Sequence, residues 1–262
     1  MNTGSLLYLW DRRSLFIGKL DAPLKLCQGA ACLIVSLGKP FLYRNAGEDA
    51  FLEAHSVLIP PGCDNEIDVR GELVANCMLD PFGEDYAMLR SVFQDPENGT
   101  NKALIDSPQT PEYVRTLQHI YDQALSYDEA YEALDQALLK GTNPDRPPHP
   151  IDTRIVLVVE ELKNRVHENL SVDDLAKLAN MSVSRLVQLF KKQTGIPIRR
   201  YRCWHRLFVA SAMMAKTGNL TDAAVVAGFT DASHFTKTFY SMAGMCPSLI
   251  LSRPGGVKLF VQ

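Results

Sequence analysis

Between Ser171 and Met245 the chain repeats one pattern twice: a short apolar-striped helix, a tight turn, and a second helix opened by a capping residue. A long helical run from Ile198 to Lys216 separates the two copies. Two helices joined by so short a turn make a helix-turn-helix unit, so this region is predicted to be all-α and preceded by one further helix over 154–167. In the first copy Ser171 caps a helix over 172–179 with Leu175 and Leu178 inward, Asn180-Met181 turns, and Ser182 caps a helix that Gly195 closes. In the second, Thr221 starts an Ala-rich helix, Gly228-Phe229 turns, and Asp231 caps a helix with Phe235 and Phe239 facing the core.

The outward faces carry the chemistry. Leu186, Leu189 and Phe190 have core spacing, which leaves Ser184, Val187, Gln188, Lys191 and Lys192 projecting. Gln pairs bidentately with adenine, a small apolar side chain meets a thymine methyl, and Arg or Lys holds phosphate. In the second copy Ala232, Ser233, Thr236 and Lys237 point away, and the two small residues allow close approach to base edges. His234 beside them reads as a phosphate contact or a packed side chain, not a metal ligand, since no second ligand stands at helical spacing. A solvated amphipathic helix shows the same pattern, so one copy alone does not decide; the repetition does. About 19 residues of connecting helix span roughly 28 Å. With the width of each head added, the two second helices come to roughly 34 Å apart, one turn of B-DNA. The connector opens with Arg199, Arg200, Arg202 and Arg206 among aromatics. Arg199 is expected on phosphate, whereas Arg206 above all can instead brace the two lobes.

Charge divides the same way. Residues 1–150 carry 12 Lys and Arg against 22 Asp and Glu, a net −10, and residues 151–262 carry 15 against 8, a net +7. Attraction to a polyanion follows clustered cations, so the back half is the part expected to meet one.

The front half reads as short strands near 6–10, 15–17, 31–37, 41–43, 56–59, 66–69 and 73–78, punctuated by turns such as Pro60-Pro61-Gly62, and closely spaced strands of this kind build a sandwich or small barrel. After a polar stretch, Thr110 with Pro111 is expected to open one helix and Ser126 with Glu129, in capping-box form, a second. Their stripes include Val114, Leu117, Tyr121, Leu134 and Leu138, which either pack on the sheet or supply a dimer interface. The run Gly141 to Pro150, stiffened by four prolines, marks a boundary. The expected division is 1–100 β domain, 101–140 helical hairpin, 141–150 linker, 151–252 helical domain and 253–262 tail.

Six scattered cysteines with no Cys-x-x-Cys pair point to buried thiols, with Cys27 and Cys32 the one pair open to a redox role. No apolar run is long enough to cross a bilayer, and the start at Met1 to Arg13 lacks the order of a signal peptide, so the expected location is the cytoplasm, with no membrane partner.

At Leu170-Ser-Val-Asp-Asp-Leu-Ala, at Met181-Ser-Val-Ser-Arg-Leu-Val-Gln-Leu-Phe-Lys-Lys-Gln-Thr-Gly195, and from Leu220 through Gly228-Phe229 to Phe239 and Pro247-Ser248, the chain closely resembles the AraC/XylS family of bacterial transcription regulators. The resemblance covers about the last hundred residues. It implies base reading by Ser184, Val187, Gln188, Ala232, Ser233, Thr236 and Lys237; phosphate contact is expected of Arg185, Lys191, Lys192, Arg199 and His234. It also implies double-stranded promoter or operator DNA as partner, a homodimer joined through the hairpin, RNA polymerase as partner of an activator, and a location at the bacterial nucleoid. Two departures weaken backbone anchoring by the second head: Tyr240-Ser241 replaces the family's basic pair, and Leu249-Ile250 its aromatic-Arg. Val57 to Asp68 looks like the strand-turn-strand of the family's cupin-like sensor domains, with Asn65 in place of the usual His; the resemblance adds a small-molecule effector to the partners to be tested. The expected fold is α+β, a cupin-like β-barrel with helical hairpin followed by an all-α double helix-turn-helix. Only His55 precedes residue 100, too few ligands for a metal-dependent cupin enzyme, so no catalytic residue, metal or cofactor is expected. Two rivals remain in view: a cupin-type enzyme on a DNA tether, which metal analysis discriminates, and a protein-interaction adaptor that has lost DNA binding.

Overall fold

The computed structural model describes residues 4–20, 23–27, 29–93, 102–141, 151–243, 247 and 257–261. They fall into two compact units, Met1–Pro148 with Pro247–Gln262, and His149–Cys246.

The first unit is built on two sheets. Its strands are β1 (Ser5–Leu9), β2 (Arg13–Lys19), β3 (Leu24–Cys27), β4 (Ala31–Ser36), β5 (Phe41–Asn45), β6 (Leu52–Ala54), β7 (Ser56–Ile59), β8 (Asp64–Asp68), β9 (Leu73–Leu79), β10 (Leu104–Ile105) and β11 (Val257–Val261). The larger sheet has the order β10-β7-β4-β9-β2-β1-β11 and the smaller β3-β8-β5-β6. Every described pairing is antiparallel except that of β11 with β1. Period-two alternation explains why β4 reads as a continuous apolar run: all six of its residues are buried because both faces of the large sheet are covered. Cys32 and Ile34 join Phe41, Tyr43 and Ile67 in a core between the sheets. Ala31, Leu33 and Val35 point the other way, into a core shared with three helices.

Those helices are α1 (Glu84–Val92), α2 (Thr110–Gln123) and α3 (Tyr127–Leu139). The hairpin α2–α3 is part of the first unit's core and not a separate layer. Of the two roles open to this stripe, sheet packing is the one seen: Leu117, Leu134 and Leu138 are at most 2% exposed, and Val114 and Tyr121 pack against the same core. The physical reason is the large sheet's second face, whose Leu15, Ile17, Leu33 and Cys77 need an apolar cover and take it from this stripe. The capping box forms as expected: the Ser126 side chain accepts from the Glu129 N–H, and the Glu129 carboxylate accepts from the Ser126 N–H at 3.0 Å. Thr110 is not a cap. It stands inside the helix, and its hydroxyl donates to the carbonyl of Ser107 at 2.7 Å.

Across the helix–sheet seam Arg13 of β2, 1% exposed, pairs with Asp85 of α1 at 3.2 Å and Asp135 of α3 at 2.8 Å, and its guanidinium lies 4.0 Å from the centre of the Tyr131 ring. The expected tail, 253–262, instead supplies a strand, β11, at its described positions. Helix α1 and strands β3, β6 and β10 also had no expectation. Of the expected linker, residues 142–150 lie outside the described residues. The redox reading of Cys27 and Cys32 loses its chemistry at Cys32, where burial pushes the thiol well above its ordinary range, while a sensor thiolate needs the reverse. The side chain of Cys27 lies outside the described residues.

The described regular structure of the second unit is all helical: α4 (Thr153–Asn164), α5 (Val172–Leu178), α6 (Val183–Thr194), α7 (Ile198–Thr217), α8 (Leu220–Val226) and α9 (Ala232–Ala243). Among its described residues, and those of the first unit, no helix is long and apolar enough to cross a membrane.

Candidate nucleic-acid interface

The first head is α5, turn, α6. The Ser171 side chain accepts from the Asp174 N–H at 3.1 Å and so satisfies one donor of the helix start. Asn180, at φ +50°, makes the turn, and the Met181 N–H donates to the Ala176 carbonyl at 2.9 Å. Ser182 caps α6 by accepting from the Arg185 N–H at 3.3 Å, and Gly195, at φ +79°, ends it. Leu175 is buried as expected, but Leu178 is 46% exposed. The inward stripe of α5 runs through Leu175, Ala176 and Ala179, and Leu178 sits about a quarter-turn off it.

Helix α6 buries Leu186, Phe190 and Thr194. The Thr194 hydroxyl accepts from the Ile196 N–H at 3.2 Å and donates to the Phe190 carbonyl at 2.8 Å, which locks the end of the helix to the start of the connector. On the opposite face Ser184, Arg185, Val187, Gln188, Lys191 and Lys192 are all exposed. Lys191 and Lys192 form no ion pair among the described residues, so their charge is free to act on an anion.

The second head repeats the construction. Asn219, not Thr221, caps α8, its side-chain oxygen accepting from the N–H groups of Thr221 and Asp222 at 3.0 and 3.1 Å. Gly228, at φ +84°, turns the chain. Asp231 caps α9 by accepting from the His234 N–H at 2.7 Å, a bond that holds its carboxyl below the usual carboxylate range. Phe235 and Phe239 are buried, with Phe229 set edge-on to Phe235. Ser233 and Lys237 are exposed, whereas Ala232 and Thr236 are half-buried. The Thr236 hydroxyl donates to the Ala232 carbonyl at 2.8 Å, which leaves it an acceptor towards any ligand. His234 is exposed and edge-on to Phe229, with its Nδ1 3.2 Å from the Thr230 hydroxyl.

The connector α7 has 20 residues, about 30 Å of helix, and packs on α6, α8 and α9. Its arginines divide by task. Arg199 is exposed in the first turn. Arg202 donates to the Leu170 carbonyl at 2.7 Å, and Arg206 to the carbonyls of Val166 and Glu168, each at 2.8 Å. Burial lowers both guanidinium pKa values, helped by repulsion from Arg199 at Arg202 and from Arg202 at Arg206. A Cβ placed on Gly228 would lie 3.0 Å from both Arg206 and the His167 Cα, so Arg206 fills the space between the 166–169 turn and the turn of the second head. Sequence reasoning anticipated the brace at Arg206 and missed it at Arg202. The signal was present in their i,i+4 spacing on a helix that also buries Trp204 and Leu207.

The helix-turn-helix domain family matches residues 175–253. Among curated relatives, the transcriptional activator RhrA of Rhizobium meliloti is 31% identical over 111 residues, covering 41% of this chain and 34% of RhrA. The HTH-type transcriptional regulator RipA of Corynebacterium glutamicum is 24% identical over 139 residues, covering 50% of this chain and 42% of RipA. The chain thus spans less than half the length of these relatives. A crystal structure of an apo variant of ToxT from Vibrio cholerae superimposes with a TM-score of 0.67 at 12% identity over 92% of this chain and 97% of that one, a likeness of fold that takes in both sheets and helices. Fold and heads together define a double helix-turn-helix protein behind a sheet-rich front unit. Residues 175–253 thus carry a helix-turn-helix domain, in the region whose sequence resembles the AraC/XylS type.

Proposed function

We propose that this protein is a sequence-specific transcriptional regulator that grips double-stranded DNA with α6 and α9 in successive major grooves. The observation that carries the reading is the duplicated head: two capped helices of 12 residues, each following a short helix and a left-handed turn, each with an exposed polar face, on either side of one 20-residue helix. In this reading Ser184, Val187, Gln188, Ser233 and Lys237 meet base edges. Ala232 and Thr236 contribute only their half-exposed surfaces. Arg185, Lys191, Lys192, Arg199 and His234 hold phosphate. Affinity comes chiefly from counterion release and specificity from the few base contacts. The acidic front unit serves sensing or assembly, without catalysis. A homodimer through the hairpin has to use the exposed face of α2 and α3, since their apolar stripe is already covered.

Selection of duplexes from a random pool by the full chain, followed by hydroxyl-radical footprinting, tests this. Two protected blocks on one face of the helix, about one turn apart, are expected. A single block, or recovery of no preferred sequence, overturns it.

A further inference from the structure

The second unit is an insertion in the first. The chain leaves the front unit after Pro148 and re-enters it at Pro247, and its last described strand pairs with its first. β11 lies parallel to β1 over five positions, from Ser5 opposite Val257 to Leu9 opposite Val261. It is the terminal strand of the large sheet, so peeling it away opens no other strand pair. The two strands are unequally held. Four of the five β1 residues are buried, whereas in β11 Lys258 is exposed and the other four are half-buried. One ring anchors β11: Phe260 stacks on Tyr8 with centroids 4.2 Å apart and planes within 12°. Tyr8 stacks in turn on Trp10 at 5.3 Å. The inner end of this stack is tied to the turn of the α2–α3 hairpin, where the Tyr8 hydroxyl donates to the Leu125 carbonyl at 2.8 Å and the Trp10 Nε1–H to the Tyr127 carbonyl at 3.1 Å. A cleft of about 260 Å³ lined by Trp10, Asp11, Arg12, Tyr127, Asp128 and Tyr131 opens beside that end.

We propose that β11 is a detachable strap: docked on β1 through the Phe260–Tyr8–Trp10 stack, it ties the C-terminal end of the helical unit to the front unit, and its release leaves that unit on a single tether. Parallel pairing over five residues with one aromatic anchor is a light attachment, and an edge strand is the one element of a sheet that leaves without disrupting the rest. A helical unit tethered at both ends samples fewer orientations than one tethered at one end, which is the property a regulator needs to couple its halves. The attachment itself is independent of the DNA-binding reading; its consequence for regulation rests on it.

The test compares the full chain with Phe260→Ala, with deletion of 257–262, and with Phe260→Tyr as a control that keeps the ring in the stack. Amide exchange reads the sheet, nitrogen relaxation reads the tumbling of the helical unit, and sedimentation reads assembly. In the first two variants β1 amides are expected to exchange at least tenfold faster while β4 and β9 stay protected, and the correlation time of the helical unit to shorten with no change in assembly. Phe260→Tyr should match the parent. Unchanged tumbling overturns the strap, as does loss of protection across the whole sheet, or a shift from dimer to monomer that makes β11 a seam between copies. Binding to a random-sequence duplex is measured alongside: absence of binding in every protein, parent included, overturns the DNA reading and leaves the strap standing.

Discussion

Arg206 donates from its Nε to the backbone carbonyl of Val166 at 2.8 Å, across forty positions of chain, and by that bond closes the turn between α4 and α5 onto the connector helix. A second bond to the Glu168 carbonyl makes the contact forked, a geometry an ammonium does not reproduce. Arg206→Ala is expected to lower stability by about 1.5–3 kcal/mol, the range for hydrogen bonds to a charged group, and Arg206→Lys to recover little of it. Urea unfolding measures this. An unchanged midpoint accompanied by weaker DNA binding would move Arg206 from bracing to phosphate contact.

The turn of the second head offers a paired comparison. Gly228 and Gly218 both have positive φ, +84° and +67°, but a Cβ at Gly218 meets open space, while one at Gly228 meets Arg206 and the backbone of His167. Gly218→Ala should therefore show only the conformational penalty, about 1–2 kcal/mol. Gly228→Ala should add the penalty of forcing packed groups apart, about 1–3 kcal/mol more. Equal shifts in thermal midpoint for the two substitutions would show that the brace yields freely.

How much of this was written in the sequence depended on whether the deciding interactions are local. Capping at Ser126, Ser171, Ser182 and Asp231, and the left-handed positions at Asn180, Gly195 and Gly228, are set within a few residues of chain, and all stand as expected. What was not legible depends on partners far away in sequence. Val257–Val261 becomes a strand because β1, some 250 positions earlier, presents a free edge. Leu117, Leu134 and Leu138 have the spacing of any apolar stripe, which cannot say whether a sheet or a second copy will cover it. Leu178 failed for a different reason: two alanines, small enough to be overlooked as core residues, set the buried direction of a seven-residue helix.

Arg13 is buried between two carboxylates, so its removal should be felt strongly. Arg13→Ala is expected to cost about 3–5 kcal/mol at pH 7, because Asp85 loses its counter-charge while remaining largely buried. Burial already raises the Asp85 pKa above its ordinary value against the opposing pull of Arg13, and without Arg13 it rises further. For a carboxyl whose folded pKa is raised, the penalty is present above that folded value and disappears as pH falls through it towards the unfolded one. The destabilisation should thus be smaller at pH 4 than at pH 7. A loss that is constant or grows on acidification would show that Asp85 does not titrate in this way.

Gln188 and Lys191 lie on the same exposed face of α6, and their side chains serve different terms of binding. An amide that pairs with one base discriminates at that position alone, so Gln188→Ala should cost about 1–3 kcal/mol on the selected sequence, flatten preference at one base pair and leave random duplex almost unaffected. An ammonium on a phosphate reads no base. Lys191→Ala should therefore weaken selected and random duplexes by the same factor and reduce the slope of log affinity against log salt by about one. Titrations of both variants at several salt concentrations, on one selected and one random duplex, separate the two roles. Equal losses on both duplexes for Gln188→Ala would remove α6 from base reading and leave it only an electrostatic grip.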